Sequence, residues 1–135
     1  MVKLVLKSAG IALALAMLAG CATQTIQSRK QERYAAYAAL SPEMRDAVDR
    51  GMIKVGMPMD AVYIAWGSPS QVTSGGNASG EVTTWLYNAG YVATTTYLGW
   101  RRTYYAYTPI NYVRAQVDFV NGVVKEWHTF AAPPY

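Results

Sequence analysis

Residues 112–130 read YVRAQVDFVNGVVKEWHTF, two alternating runs joined by Asn121-Gly122. Asn-Gly favours the two-residue type I′ turn, whose twist matches that of the strands it joins. The turn predicts a hairpin with Val120 opposite Val123, Phe119 opposite Val124 and Asp118 opposite Lys125. Farther from the turn the same register sets Val117 against Glu126, Gln116 against Trp127 and Val113 against Phe130. Val113, Ala115, Val117 and Phe119 are then the expected core face. Glu126 and His128 intrude on its partner side, for no reason beyond edge-strand exposure.

A strand over residues 82–87 precedes this hairpin, alternating Thr83, Trp85 and Tyr87 with Val82, Thr84 and Leu86, and is expected to end at Asn88-Ala89-Gly90. Residues 74–80, SGGNASG, have the composition of a flexible loop. Before residue 70 the period is helical. Pro58 opens a helix in which Met59, Val62, Tyr63 and Trp66 share one face, Asp60 sits at the positive end of its dipole, and Gly67 ends it before Ser68-Pro69. Ser41-Pro42-Glu43 starts another over residues 42–50, with Met44, Ala47 and Val48 as its stripe and Gly51 as its stop. Tyr34, Tyr37 and Leu40, spaced at threes, predict a third over residues 29–40.

The chain has 135 residues, 52% hydrophobic and 15% charged, which excludes intrinsic disorder and a large multi-domain enzyme. The formal charge of +4 comes without a basic run, so no nucleic-acid footprint is expected. One cysteine excludes an internal disulfide framework and a multi-cysteine metal site.

That cysteine ends a secretory leader: Lys3 and Lys7 precede an apolar run over residues 8–18, too short to cross a ~30 Å hydrocarbon core as a helix. Leu18-Ala19-Gly20-Cys21 resembles the lipobox of bacterial lipoproteins, in which the thiol is acylated and the chain is cut before it. The resemblance implies a signal peptide over residues 1–20 with Leu18, Ala19 and Gly20 recognised by the peptidase. It also implies lipid, including palmitate, on Cys21, and no cofactor beyond it. Ala22, in place of an aspartate, implies outer-membrane sorting, periplasm-facing. Loss of Lys3 and Lys7 lowers the charge to +2. Residues 22–28 are polar without an apolar period, and residues 21–30 are assigned to a lipidated tether, with one domain over residues 31–135.

Within that domain Ile53-Lys54-Val55-Gly56-Met57, Trp66-Gly67-Ser68-Pro69, Trp85-Leu86-Tyr87 and Val117-Asp118-Phe119 with Asn121-Gly122 resemble the SmpA/OmlA (BamE-like) domain lipoprotein family, over about residues 52–130. The resemblance implies an α+β fold, two or three short helices packed on one face of a small antiparallel sheet. It also implies a non-catalytic scaffold or accessory factor in outer-membrane protein assembly or envelope integrity, with a protein partner in that machinery. Pro58 departs from the family's capping threonine, though it still starts a helix. The matched residues Gly56, Gly67, Pro69, Trp85, Tyr87 and Phe119 are turn and core positions and carry fold rather than chemistry.

Residues 88–110 read as a Tyr-rich insertion relative to a compact family member. Trp100, Arg101, Arg102, Tyr104, Tyr105 and Tyr107 are the candidate partner contacts, since aromatic residues and arginine dominate interface hot spots. Two other readings stand beside it: two further strands over residues 91–97 and 103–107, with tyrosine used for its sheet propensity, or an aromatic and arginine belt on lipid headgroups. The domain shape also resembles that of β-lactamase inhibitors, which makes a periplasmic protein-binding or inhibitor module the alternative function, with Trp100, Tyr104 and Tyr105 as its contact patch. No catalytic residue is assigned: His128 is the only histidine, Cys21 is taken by lipid, and Gly75-Gly76 lacks the spacing and lysine of a phosphate loop.

Overall fold

A computed structural model describes residues 24–134. Among the described residues four short helices come first: α1 (Ile26–Glu32), α2 (Tyr34–Ala39), α3 (Pro42–Asp49) and α4 (Met59–Trp66). Four strands follow, β1 (Gln71–Asn77), β2 (Gly80–Leu98), β3 (Thr103–Val120) and β4 (Val123–Thr129), forming an antiparallel meander in the order β1-β2-β3-β4. The α+β expectation holds at this level. The helices pack over the β3 and β4 face that carries Val117, Phe119 and Val124, and these join Leu40, Val48, Ile53, Met57, Val62 and Ile64 in the core.

The local signals that start and stop α3 act as expected. Ser41 Oγ accepts from Met44 N at 3.3 Å, Pro42 takes the first turn, and Gly51 leaves the helix at φ +66. In α4 the run Ala61 to Ala65 is buried throughout, so this helix is enclosed rather than amphipathic. It runs from the Asn121-Gly122 turn, where Met59 N donates to Gly122 O, to the other end of the four-stranded part of the sheet, where Tyr87 Oη donates to Gly67 O at 3.1 Å.

The amino-terminal expectations need correction. The helix placed over residues 29–40 is two helices broken at Arg33, and the first begins at Ile26 on a Thr25 cap, inside the stretch assigned to the tether. Arg29 is only 7% exposed. Its Nε donates to Ile64 O at 2.9 Å, Nη2 to Ala65 O at 3.2 Å and Nη1 to Gln24 O at 2.5 Å, so it caps the last carbonyls of α4 and binds α1 to the domain. Helix α1 therefore belongs to the folded unit, which takes in residues ahead of residue 31.

The sheet differs from expectation in three ways. Residues 71–77, partly assigned to a loop, form β1, paired from Gln71↔Leu86 to Asn77↔Gly80. Gly80, at φ +125, leaves no room for a side chain, because an added Cβ would sit 2.4 Å from Asn121 Oδ1. The NG hairpin begins in the expected register, Val120↔Val123 and Phe119↔Val124, but then slips to Asp118↔Glu126, Val117↔Trp127, Gln116↔His128 and Ala115↔Thr129. Lys125 is the extra residue of a bulge. By reversing parity, it brings Trp127 to the core side against Trp66, at 6.2 Å between rings, and turns Glu126 and His128 to the other face. This accounts for the apparent intrusion of Glu126 and His128. Val113, expected in the core, is instead 36% exposed.

The third difference is the largest. Strand β2 does not end at residues 88–90, and the Tyr-rich segment is no separate insertion. It is the continuation of β2 and β3 as one hairpin, paired without interruption from Asn88↔Val113 to Leu98↔Thr103.

Candidate interaction surface

The hairpin beyond Tyr87 and Ala115 is an arm. A second bulge marks its base: Tyr87 pairs with Ala115 and Asn88 with Val113, leaving Arg114 as the extra residue. Strand β1 stops pairing with β2 at Leu86, and β4 stops pairing with β3 at Ala115, so along the arm the two strands pair only with each other. Eleven residue pairs give a length of about 36 Å. Between residues 88 and 113 the only charged side chains are Arg101 and Arg102.

The antiparallel register sorts the candidate contacts onto different surfaces. Ala89 and Tyr112, Tyr91 and Ile110, Ala93 and Thr108, Thr95 and Ala106, and Tyr97 and Tyr104 continue the helix-bearing side of the sheet. Val92 and Pro109, Thr94 and Tyr107, Thr96 and Tyr105, and Leu98 and Thr103 lie on the other side. Tyr104 therefore points away from Tyr105 and Tyr107, and the six expected contact residues do not form one patch. Trp100, Arg101 and Arg102 occupy the turn, where Gly99 N donates to Arg102 O at 2.9 Å. The Tyr104 ring fills the space beside Gly99, 2.8 Å from where a Cβ would be. Leu98 is 89% and Trp100 97% exposed.

The base of the arm is built from Trp66, Tyr87 and Trp127. Trp66 meets Tyr87 edge-on at 5.4 Å, and its indole Nε1 donates to Gly51 O at 2.8 Å. Burial raises the Tyr87 hydroxyl far above the ordinary tyrosine pKa, against the opposing influence of the Arg29 charge. A cleft of about 370 Å³ lies here, bordered by Ala65, Trp66, Asn88, Arg114 and Thr129. It holds no convergent set of acids, bases or nucleophiles. Beyond it, Phe130 N donates to Arg114 O and Tyr91 Oη to Pro133 O at 2.9 Å, which lays the carboxyl-terminal residues along the arm.

Several titratable groups elsewhere pair at the surface. Asp49 accepts from Lys30 at 2.7 Å and from Tyr37 Oη at 2.8 Å; the lysine holds the carboxyl below its ordinary pKa, and that carboxylate raises Lys30. Lys54 lowers Glu43 in the same way, and Arg33 bonds Asp60. Asp118, on the outer side of the sheet, accepts from Thr84 at 2.5 Å and Gln116 at 2.7 Å. His128 lies 3.8 Å from Glu126. Among the described residues no group of three His, Cys, Asp or Glu is placed to hold a metal ion, and no helix is long and apolar enough to cross a membrane. Cys21 and its recognition residues Leu18, Ala19 and Gly20 lie outside the described residues.

The buried role of Arg29 was not read from the sequence. Its one signal is an arginine placed where the polar tether gives way to a helix, and the partner carbonyls lie some 35 residues away. No protein-family model, curated protein or solved structure matches the chain.

Proposed function

We propose that this chain is a non-catalytic lipoprotein of a bacterial outer membrane, of the SmpA/OmlA type, facing the periplasm and acting as a scaffold or accessory factor in outer-membrane protein assembly or envelope integrity. The observation that carries this is the arm. A two-stranded projection whose only charges are the two arginines of its turn, standing on a core whose residues are occupied with packing, is suited to contact rather than to chemistry. Tyr105 and Tyr107, side by side on the face away from the helices and both exposed, form the surface for a protein partner. The lipid on Cys21 supplies effective concentration, so a weak interface suffices.

The test is photo-crosslinking in living cells from a reactive residue at position 105, with mass spectrometry of the adduct. A subunit of the barrel-assembly machinery is the expected partner. Recovery of a soluble periplasmic enzyme would transfer the function to the inhibitor class, and the absence of any protein adduct would remove Tyr105 from the interface. Palmitate labelling tests the anchor separately: Cys21→Ser should abolish it and leave an unprocessed precursor.

A further inference from the structure

The amino-terminal end of the described chain meets the base of the arm. Gln24 O lies 2.5 Å from Arg29 Nη1, that nitrogen lies 3.5 Å from where a Cβ on Gly67 would be, and Gly67 O takes the hydrogen bond from Tyr87, the last β2 residue before the arm. Cys21 precedes Gln24 by three residues, a span of at most about 11 Å. A lipid on Cys21 would therefore sit within about 11 Å of the end of the core from which the arm leaves, a third of the arm's length. A projection directed away from the core at that end runs towards the bilayer or along it.

The chemistry at the far end of the arm fits that placement. A two-stranded ribbon is marginal in water on its own, and the outer part of this one, beyond the carboxyl-terminal residues laid along its base, carries no charge along its strands. Its tip concentrates Leu98 and Trp100, the most exposed large apolar residues of the described chain, with Tyr97 and Tyr104 behind them and Arg101 and Arg102 in the turn. Tryptophan and tyrosine settle at the headgroup level of a bilayer, and the arginine fork pairs with phosphate. Gly99, closed over by the Tyr104 ring and bonded to Arg102 O, fixes the turn that presents these side chains together.

We propose that the tip of the arm is a second membrane contact. Leu98 and Trp100 seat at the headgroup layer of the leaflet that holds the Cys21 lipid, and Arg101 and Arg102 engage lipid phosphates. This rests on the anchor proposed above. It divides the candidate contacts in two: Trp100, Arg101, Arg102 and Tyr104 meet lipid, whereas Tyr105 and Tyr107 stay open to a protein. Two points of attachment hold the domain in one orientation, which a single flexible tether does not.

The experiment uses the mature, lipidated protein in phosphatidylethanolamine and phosphatidylglycerol vesicles, with and without brominated acyl chains, comparing the natural chain with Trp100→Phe. Of the four tryptophans, Trp66 and Trp85 pack against the core and Trp127 meets Trp66 edge-on, so quenching specific to Trp100 is the emission that Trp100→Phe lacks. Bromine is expected to quench that component in the natural chain and leave Trp100→Phe emission unchanged. Trp100 touches nothing in the core, so the substitution leaves the fold intact. Palmitate uptake without Trp100 quenching would overturn the tip contact and leave the anchor standing. Absence of palmitate uptake would remove the anchor and the geometric premise together. Crosslinks from position 100 in cells that land on protein rather than lipid would also overturn the tip contact.

Discussion

Replacing Arg29 by alanine tests whether α1 belongs to the folding unit. The guanidinium reaches Ile64 O, Ala65 O and Gln24 O, and the first two bonds are buried. A buried carbonyl left without a donor costs about 1–3 kcal/mol, so the two α4 carbonyls together set a loss of roughly 3 kcal/mol or more, before the packing of the aliphatic stem is added. For a domain of this size that lowers the Tm by roughly 12 °C or more. Thermal and urea unfolding of the mature chain, followed by circular dichroism, would measure it. Arg29→Lys should recover only part of the loss, because an ammonium on a shorter reach does not reproduce the fork that spans two successive carbonyls. A loss below about 1 kcal/mol for Arg29→Ala would refute the role assigned to Arg29 and move the domain boundary back to residue 31.

Three other outcomes are expected. Phe119→Ala, at a fully buried position packed edge-on to Trp85 at 4.9 Å, should cost about 3–5 kcal/mol in urea unfolding. Deleting Lys125 removes the bulge but leaves Glu126 opposite Asp118 and Trp127 opposite Val117, so both the deletion and Lys125→Ser should keep cooperative unfolding by the same assay, and loss of cooperativity in the deletion would refute the bulge. The Lys30–Asp49 pair should be at full strength near neutral pH: the lowered Asp49 pKa means its contribution fades as pH falls through that value, and the raised Lys30 pKa means it fades as pH rises through the lysine value. Asp49→Asn should flatten the acid side of the stability profile, read by thermal unfolding across pH.

The elements legible in the sequence were those whose signal is local. Asn121-Gly122, Ser41-Pro42 and Gly67 each act through the conformation of one or two residues, and the structure has a turn, a cap and a stop at those positions. The Lys125 bulge left only an indirect mark, Glu126 and His128 on the core side of the unbroken register, which edge-strand exposure accounted for equally well; the contact of Trp127 with Trp66 shows which side Trp127 takes. Strand β1, QVTSGGN, is exposed throughout and has no apolar period, so its pairing with β2 is set by the partner strand rather than by its own composition. The tyrosines of the arm alternate as a strand should, and one of the open readings was two strands. Their joining to β2 and β3 as continuous elements depends on the bulge at Arg114, which is silent in the sequence. Among the candidate contacts, the sequence placed Tyr104, Tyr105 and Tyr107 together; pleating puts Tyr104 on the opposite face from the other two.

The unbroken ladder of the arm bears on how quickly the sheet can assemble. If residues 88–114 were a slack connection, pairing Tyr87 with Ala115 would mean closing a span of 28 residues before any contact rewarded it. Zipping from the turn between Leu98 and Thr103, a span of 5 residues, lowers that closure entropy by about 1.5 kcal/mol and delivers Trp85 to Val117 in sequence, one pair at a time. A segment that adds nothing to the core thereby acts as the guide rail along which the two central strands of the core find their register.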